Sequence, residues 1–292
     1  MIDTKLENKV AIITGANNPF GIGAAIGRAL AIEGVKLYLQ YFRSSKLSDS
    51  SKVNNEKYGE AFYYEQQTKN CDEVLASIKE VGGEAYANEF DLSNSENILK
   101  LFDKAEGKFK KVDILINNAA YGEHDTFIPS DQKLENELVE LWTSKPKPIS
   151  TESFNKLFAV NTRAPALLIK EFASRFLKNN LSNGRIINIS TAAAHCFPSE
   201  ISYGASKFAL ESITRSAAAE LCKYGINVNT LSLGPIQTGW INSALENEVL
   251  KLIPFENVGL PEEVADAVVL LCSHQSRYIT GQRIYLGYIG GG

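Results

Sequence analysis

Short, nearly continuous apolar runs recur along the chain at Val10–Thr14, Val35–Leu39, Ala85–Phe90, Val112–Ile116, Arg185–Ile189, Asn227–Leu231 and Arg283–Leu286, and stretches with helical apolar spacing lie between them. Runs of this kind read as strands buried on both faces. Their alternation with helices requires right-handed crossovers and hence a mostly parallel sheet. The pattern predicts an α/β fold, a doubly wound parallel sheet with helices on both faces. No repeat recurs at a fixed period and no Pro- or Ser-rich linker divides the chain, so the reading is one domain over residues 1–292.

Two segments exceed a minimal strand–helix alternation. Residues 44–67, "SSKLSDSSKVNNEKYGEAFYYEQQ", are polar with late aromatics; residues 123–148, "EHDTFIPSDQKLENELVELWTSKPKP", hold a possible short helix at Asp131–Trp142 and end in K-P-K-P. Both follow strands, which places them at the carboxyl edge of the sheet, where open α/β folds bind ligands. The first reads as surface decoration, since loops accept insertions at small cost. The second divides between decoration and a lid, because it joins two segments expected to flank the active site.

Composition narrows the partners. Of 292 residues 44% are hydrophobic and 22% charged, as in an ordinary globular protein. A net charge of −4 argues against a nucleic-acid surface. No apolar run approaches bilayer length, and the polar start "MIDTKLENKV" lacks the apolar core of a signal peptide. Cys71, Cys196, Cys222 and Cys272 are scattered without CxxC pairs, and with three distant histidines they offer no metal-ligand spacing. The expectation is a metal-free cytoplasmic protein with free thiols.

Between the first strand and the first helix lies "TGANNPFGIGAAIG", Thr14 to Gly27. Glycines there let the backbone approach a pyrophosphate, and the helix N-terminus adds free N–H groups and a positive dipole end. Farther on come "NNAA" at Asn117–Ala120, "YGASK" at Tyr203–Lys207 and "GPIQT". This ordered set resembles the short-chain dehydrogenase/reductase family, and in particular its 3-oxoacyl-[acyl-carrier-protein] reductase-like members, from about Asn8 to Gly291 apart from the two insertions. The resemblance implies a Rossmann-type fold, hydride transfer between a nicotinamide dinucleotide and a ketone or secondary alcohol (a 3-oxoacyl thioester among the candidates), and a homotetramer or homodimer. The glycine loop carries two extra residues in its "NNPF" region, with Gly15, Gly21, Ile22 and Gly23 keeping their roles.

The cofactor reading favours NADP(H) over NAD(H). Tyr41 stands where an acid would take the ribose hydroxyls, and Arg43 follows at once, suited to a 2′-phosphate. By resemblance, Asp91 and Leu92 meet the adenine, Asn118 secures the adenosine end, and Ile236 and Thr238 meet the nicotinamide carboxamide and pyrophosphate. Leu233 stands where the family usually has proline.

Tyr203 and Lys207 are four apart and share one helix face. A free phenol is too weak an acid near neutral pH, so a neighbouring ammonium is expected to lower its pKa. The resemblance gives Tyr203 the proton transfer and Lys207 the tuning and the nicotinamide ribose. Enoyl reduction, which spaces tyrosine and lysine six apart, is set aside because the sixth position is Ala209. The family serine falls on Ser190 when counted back from Tyr203, or on Thr191 when the strand is aligned; Ser190 is favoured. Asn161 matches the fourth catalytic position, and Pro165 deprives its carbonyl of a helical partner. His124 and His195 flank the expected cleft without an assigned role. The competing reading is an NADP(H)-binding regulator that has lost catalysis.

Overall fold

The computed structural model describes residues 3–44, 57–132, 137–141 and 145–287. Seven strands form one parallel sheet: β1 (Val10–Thr14), β2 (Lys36–Tyr41), β3 (Ala85–Glu89), β4 (Ile114–Asn117), β7 (Gly184–Thr191), β8 (Ile226–Leu233) and β9 (Arg283–Leu286). They lie in the order β3-β2-β1-β4-β7-β8-β9. Strand order reverses between β1 and β4, so a crevice opens at their carboxyl ends. Two-residue strands β5 (Asp125–Thr126) and β6 (Lys147–Pro148) pair with each other inside the second insertion.

Helices cover both faces. On one side α1 (Ile22–Ile32), α3 (Asp72–Glu80) and α10 (Pro261–Cys272) pack on Ile13, Leu37, Ile116, Ile187 and Leu231. On the other, α4 (Glu96–Phe109), α7 (Ala164–Lys178) and α8 (Ile201–Leu221) pack on Ile12, Leu115, Ile186 and Val228. Alternate residues of the central strands serve opposite cores, which is why those strands read as apolar runs, whereas the edge strands β3 and β9 are only partly buried. The doubly wound fold anticipated above is the observed one.

The insertions differ from their sequence readings. The first carries a helix, α2 (Glu60–Thr68), packed over the glycine loop. Its aromatic residues give it a reason to fold down instead of standing off as decoration. Residues 45–56, including Lys46, lie outside the described residues. In the second, among the described residues the helix foreseen at Asp131–Trp142 is observed as α5 (Glu137–Glu140), and residues 133–136 and Trp142 lie outside the described residues. The chain continues through α6 (Thr151–Phe158), capped by Ser150, whose hydroxyl accepts from the Ser153 N–H. After β8 comes α9 (Ser243–Leu250). Among the described residues no helix is long and apolar enough to cross a membrane.

Candidate active site

The glycine loop is built by close contacts. Gly15 adopts φ +68°, and a Cβ there would stand 2.7 Å from the Ala119 Cα. At Gly23 a Cβ would meet the Gly15 carbonyl at 2.6 Å. Only glycine fits either place. The amide of Asn118 donates to the carbonyls of Thr14 and Gly15, 2.8 and 2.9 Å, tying the end of β4 to the loop. Two further groups escaped sequence reasoning. The Thr14 hydroxyl accepts from the N–H groups of Asn118 and Ala119, and the buried Gln40 side chain accepts from Gly15 N–H. Their strand-end positions were the only signal available.

Two asparagines of the lengthened NNPF region anchor neighbours. Asn17 donates to the carbonyls of Gln67 and Lys69, and Asn18 to that of Thr238 at 3.1 Å. Gly21, Ile22 and Gly23 open α1, with Gly21 as its N-cap. That turn and the helix N-terminus suit a dinucleotide pyrophosphate. At the adenosine end Arg43 is exposed and its guanidinium grips Glu89, with Nε–Oε2 2.9 Å. Asp91 accepts from Ser93 N–H at 2.8 Å, and the Leu92 side chain is buried in the core. Ile236 and Thr238 lie in the half-buried loop after β8, and Leu233 is buried at the strand's end.

Tyr203, Lys207 and Asn161 converge at the carboxyl ends of β4 and β7. Lys207 is buried and its Nζ donates to the Ile189 carbonyl at 2.9 Å. Burial pulls its pKa down to about 8, against a smaller raising effect from Glu211. Tyr203 differs from expectation. Burial, then the charges of Glu200 and Tyr63, push its phenol up and keep it protonated. The Lys207 ammonium stands 5.7 Å from the Tyr203 ring centroid and is hydrogen-bonded to Ile189, so it does not offset that burial.

Asn161 is fully buried in a π-helical turn, Ala159–Arg163, where the chain meets Pro165. Its Nδ2 donates to the Tyr121 carbonyl and to Ser206 Oγ, 2.9 and 3.0 Å, and its Oδ1 accepts from Tyr121 N–H. Pi-turns of this kind are frequent at functional sites. Asn161 thereby joins the segment after β4 to the helix that carries Tyr203 and Lys207.

The two strand-end hydroxyls separate. Ser190, favoured by the count from Tyr203, is 4% exposed and donates to Glu211 Oε1 at 2.8 Å. Glu211 also accepts from Ser232 and from Arg283 at 2.7 Å. Thr191 is half-buried, and its hydroxyl accepts one long bond, 3.4 Å, from Ala193 N–H. Glu211 was not foreseen, although it lies four residues beyond Lys207 on the same helix. His195 contacts Arg283 and packs edge-on against Phe208, so it sits in the loop rather than over the phenol. His124 lies 3.0 Å from Glu200, which precedes α8.

Comparison with known proteins agrees with this geometry. A family model described as enoyl-(acyl carrier protein) reductase matches residues 56–288. The chain belongs to the short-chain dehydrogenase/reductase family. An uncharacterized oxidoreductase, YjdA, of Bacillus subtilis is 31% identical, with 98% of each chain covered. A 3-oxoacyl-[acyl-carrier-protein] reductase of Synechocystis is 30% identical over 96% of this chain and 95% of its own. Among solved structures, acetoin dehydrogenase YohF of Salmonella typhimurium superposes with a TM-score of 0.72 at 26% identity, covering 96% of this chain and 95% of that one. This family member is an oxidoreductase acting on alcohol and carbonyl groups with a nicotinamide cofactor.

Proposed function

We propose that the protein is an NADP(H)-dependent carbonyl reductase or alcohol dehydrogenase of the cytoplasm, working as a homodimer or homotetramer. One observation carries the reading. The protonated phenol of Tyr203 and the buried ammonium of Lys207 occupy one stripe of α8 at the crevice where the sheet order reverses. The four-residue spacing supports carbonyl rather than enoyl reduction. Intact Tyr203, Lys207 and Asn161 disfavour a non-catalytic regulator.

When bound, the dinucleotide supplies or accepts the hydride. Gly15, Gly21, Ile22 and Gly23 would hold its phosphate end, Asp91, Leu92 and Asn118 its adenosine end, and Arg43 would favour a 2′-phosphate. Ile236 and Thr238 border its nicotinamide end. Lys207 holds the ribose, and Asn161 keeps the crevice wall in register. Thr191 is the better-placed hydroxyl to donate to the substrate carbonyl oxygen, because the O–H of Ser190 is committed to Glu211. Tyr203 then donates its proton to the carbonyl oxygen as charge develops there.

A panel of ketones and aldehydes assayed with NADPH and NADH, followed at the nicotinamide absorbance band, tests this. Tyr203→Phe is expected to lower kcat by about 10³-fold or more at every pH. Reduction by the unmodified protein should be level below pH 8 and decline as Lys207 loses its proton above about 8. A Tyr203→Phe variant with near-normal turnover sinks the mechanism.

A further inference from the structure

Helix α2 belongs to the first insertion and lies across the crevice. At its start the N–H of Gly59 donates to the Gly239 carbonyl at 2.9 Å. Phe62 meets the Phe20 ring edge-on at 5.2 Å, and a Cβ on Gly239 would stand 2.8 Å from that same Phe62 ring. At its far end the Gln67 carbonyl accepts from Asn17 of the glycine loop and from Ser44 N–H. The helix is therefore pinned to the glycine loop and to the loop after β8.

A second set of contacts carries α2 to the reacting group. His124 Nε2 lies 4.0 Å from Glu60 of α2, and its Nδ1 lies 3.0 Å from Glu200. Glu200 precedes Tyr203 by three residues, and Glu60 precedes Tyr63 by three. Glu60 and Tyr63 are three apart on α2 and share a face, so the bridge through His124 ties that face of α2 to Glu200, the residue at the start of α8. Burial, then Glu200 and Tyr63, push the Tyr203 phenol up, which puts Tyr63 of α2 within electrostatic reach of it. On another side Phe197 stands edge-on to Tyr203 at 6.1 Å. The phenol thus sits between Phe197 and an aromatic wall provided by α2.

We propose that α2 is the substrate-selecting wall of this site, and that Tyr63 is a specificity-determining residue meeting the apolar group attached to the reacting carbonyl. The proposal rests on the carbonyl-reductase reading above. An aromatic ring there gives an aryl or branched alkyl substituent a face to pack on and limits its bulk. The family's glycine loop and Y-x-x-x-K stripe do the chemistry, and the insertion sets what reaches them.

Tyr63→Ala, Tyr63→Phe and Tyr63→Trp are to be assayed on ketones that differ only in the bulk of one apolar substituent. Each protein's NADPH dissociation constant and melting temperature are measured alongside. Tyr63→Ala should move the kcat/KM ratio of bulky to small ketone by about 10-fold or more toward the bulky one. Tyr63→Trp should move it the other way and Tyr63→Phe hardly at all, with NADPH affinity held within about twofold of the unmodified protein. Ratios that stay put in both Ala and Trp variants overturn the proposal, as does a loss confined to NADPH affinity. If Tyr63→Ala does not fold, the Trp variant decides. Should the unmodified protein reduce none of the ketones, the reductase reading fails by itself. The same ratio, read from ketone binding to the NADPH complex by nicotinamide fluorescence, still decides the role of Tyr63.

Discussion

Ser190 and Thr191 are adjacent on β7, and a strand sends adjacent side chains to opposite sides. Ser190 goes under α8, where Glu211 takes its proton donor together with those of Ser232 and Arg283. Losing that bond should cost stability, about 1.5–3 kcal/mol for a hydrogen bond to a buried charge. It should cost little catalysis. Ser190→Ala is accordingly expected to lower the melting temperature while kcat stays within about threefold, and Thr191→Ala to lower kcat by about 10²-fold with the melting temperature nearly unchanged. Steady-state kinetics and thermal melts on the two variants decide it, and the opposite pairing would return the role to Ser190. The sequence could not separate them, because counting from Tyr203 gives Ser190 and aligning the strand gives Thr191. What separates them is a carboxylate contributed from α8, a tertiary contact with no local trace.

At the scale of elements, the ends of β2 and β3 set the cofactor question. Arg43 at the end of β2 is held by Glu89 at the end of β3 through three side-chain contacts, two to Nε and one to NH2. A 2′-phosphate placed at Arg43 would have to share it with that carboxylate. Glu89→Gln should therefore tighten NADPH, and Arg43→Ala weaken it, with NADH affinity nearly constant in both. Fluorescence titration of the two cofactors reads this directly, and equal effects on NADPH and NADH would remove Arg43 from the phosphate. The central strands were legible because burial on both faces makes them nearly unbroken apolar runs, and the partly exposed edge strands β3 and β9 by their place in the alternation; the observed ends shift by a few residues, as at Lys36–Tyr41 against Val35–Leu39. The glycine loop and the Tyr203–Lys207 stripe were legible because their chemistry depends on local spacing. Helix α2 was not. Its sequence, EAFYYEQQT, has no clear apolar stripe, and its partners Phe20, Asn17 and Gly239 come from distant parts of the chain.

The whole molecule leaves one helical surface open that the sheet does not explain. Along α8, Ala205, Ser212, Ser216 and Ala219 are exposed and Ala209 is half-buried, a strip of small side chains on the side facing away from β7 and β8. Phe208 beside it is 47% exposed, and Phe154 on α6 is 40% exposed. Small residues let two helices approach closely, and exposed aromatics beside them supply apolar area that a second copy would bury. A two-fold arrangement places the same strip on both sides of such a contact, so one substitution acts twice. We expect the protein to sediment as a dimer or tetramer at micromolar concentration. Ser212→Arg, which puts a long charged side chain at the centre of the strip on both copies, should release monomers. Tyr203, Lys207 and Asn161 lie on the opposite side of that helix or behind it, so the monomer should keep its NADPH affinity within about threefold. A monomeric unmodified protein, or an assembly unaffected by Ser212→Arg, would place the interface elsewhere.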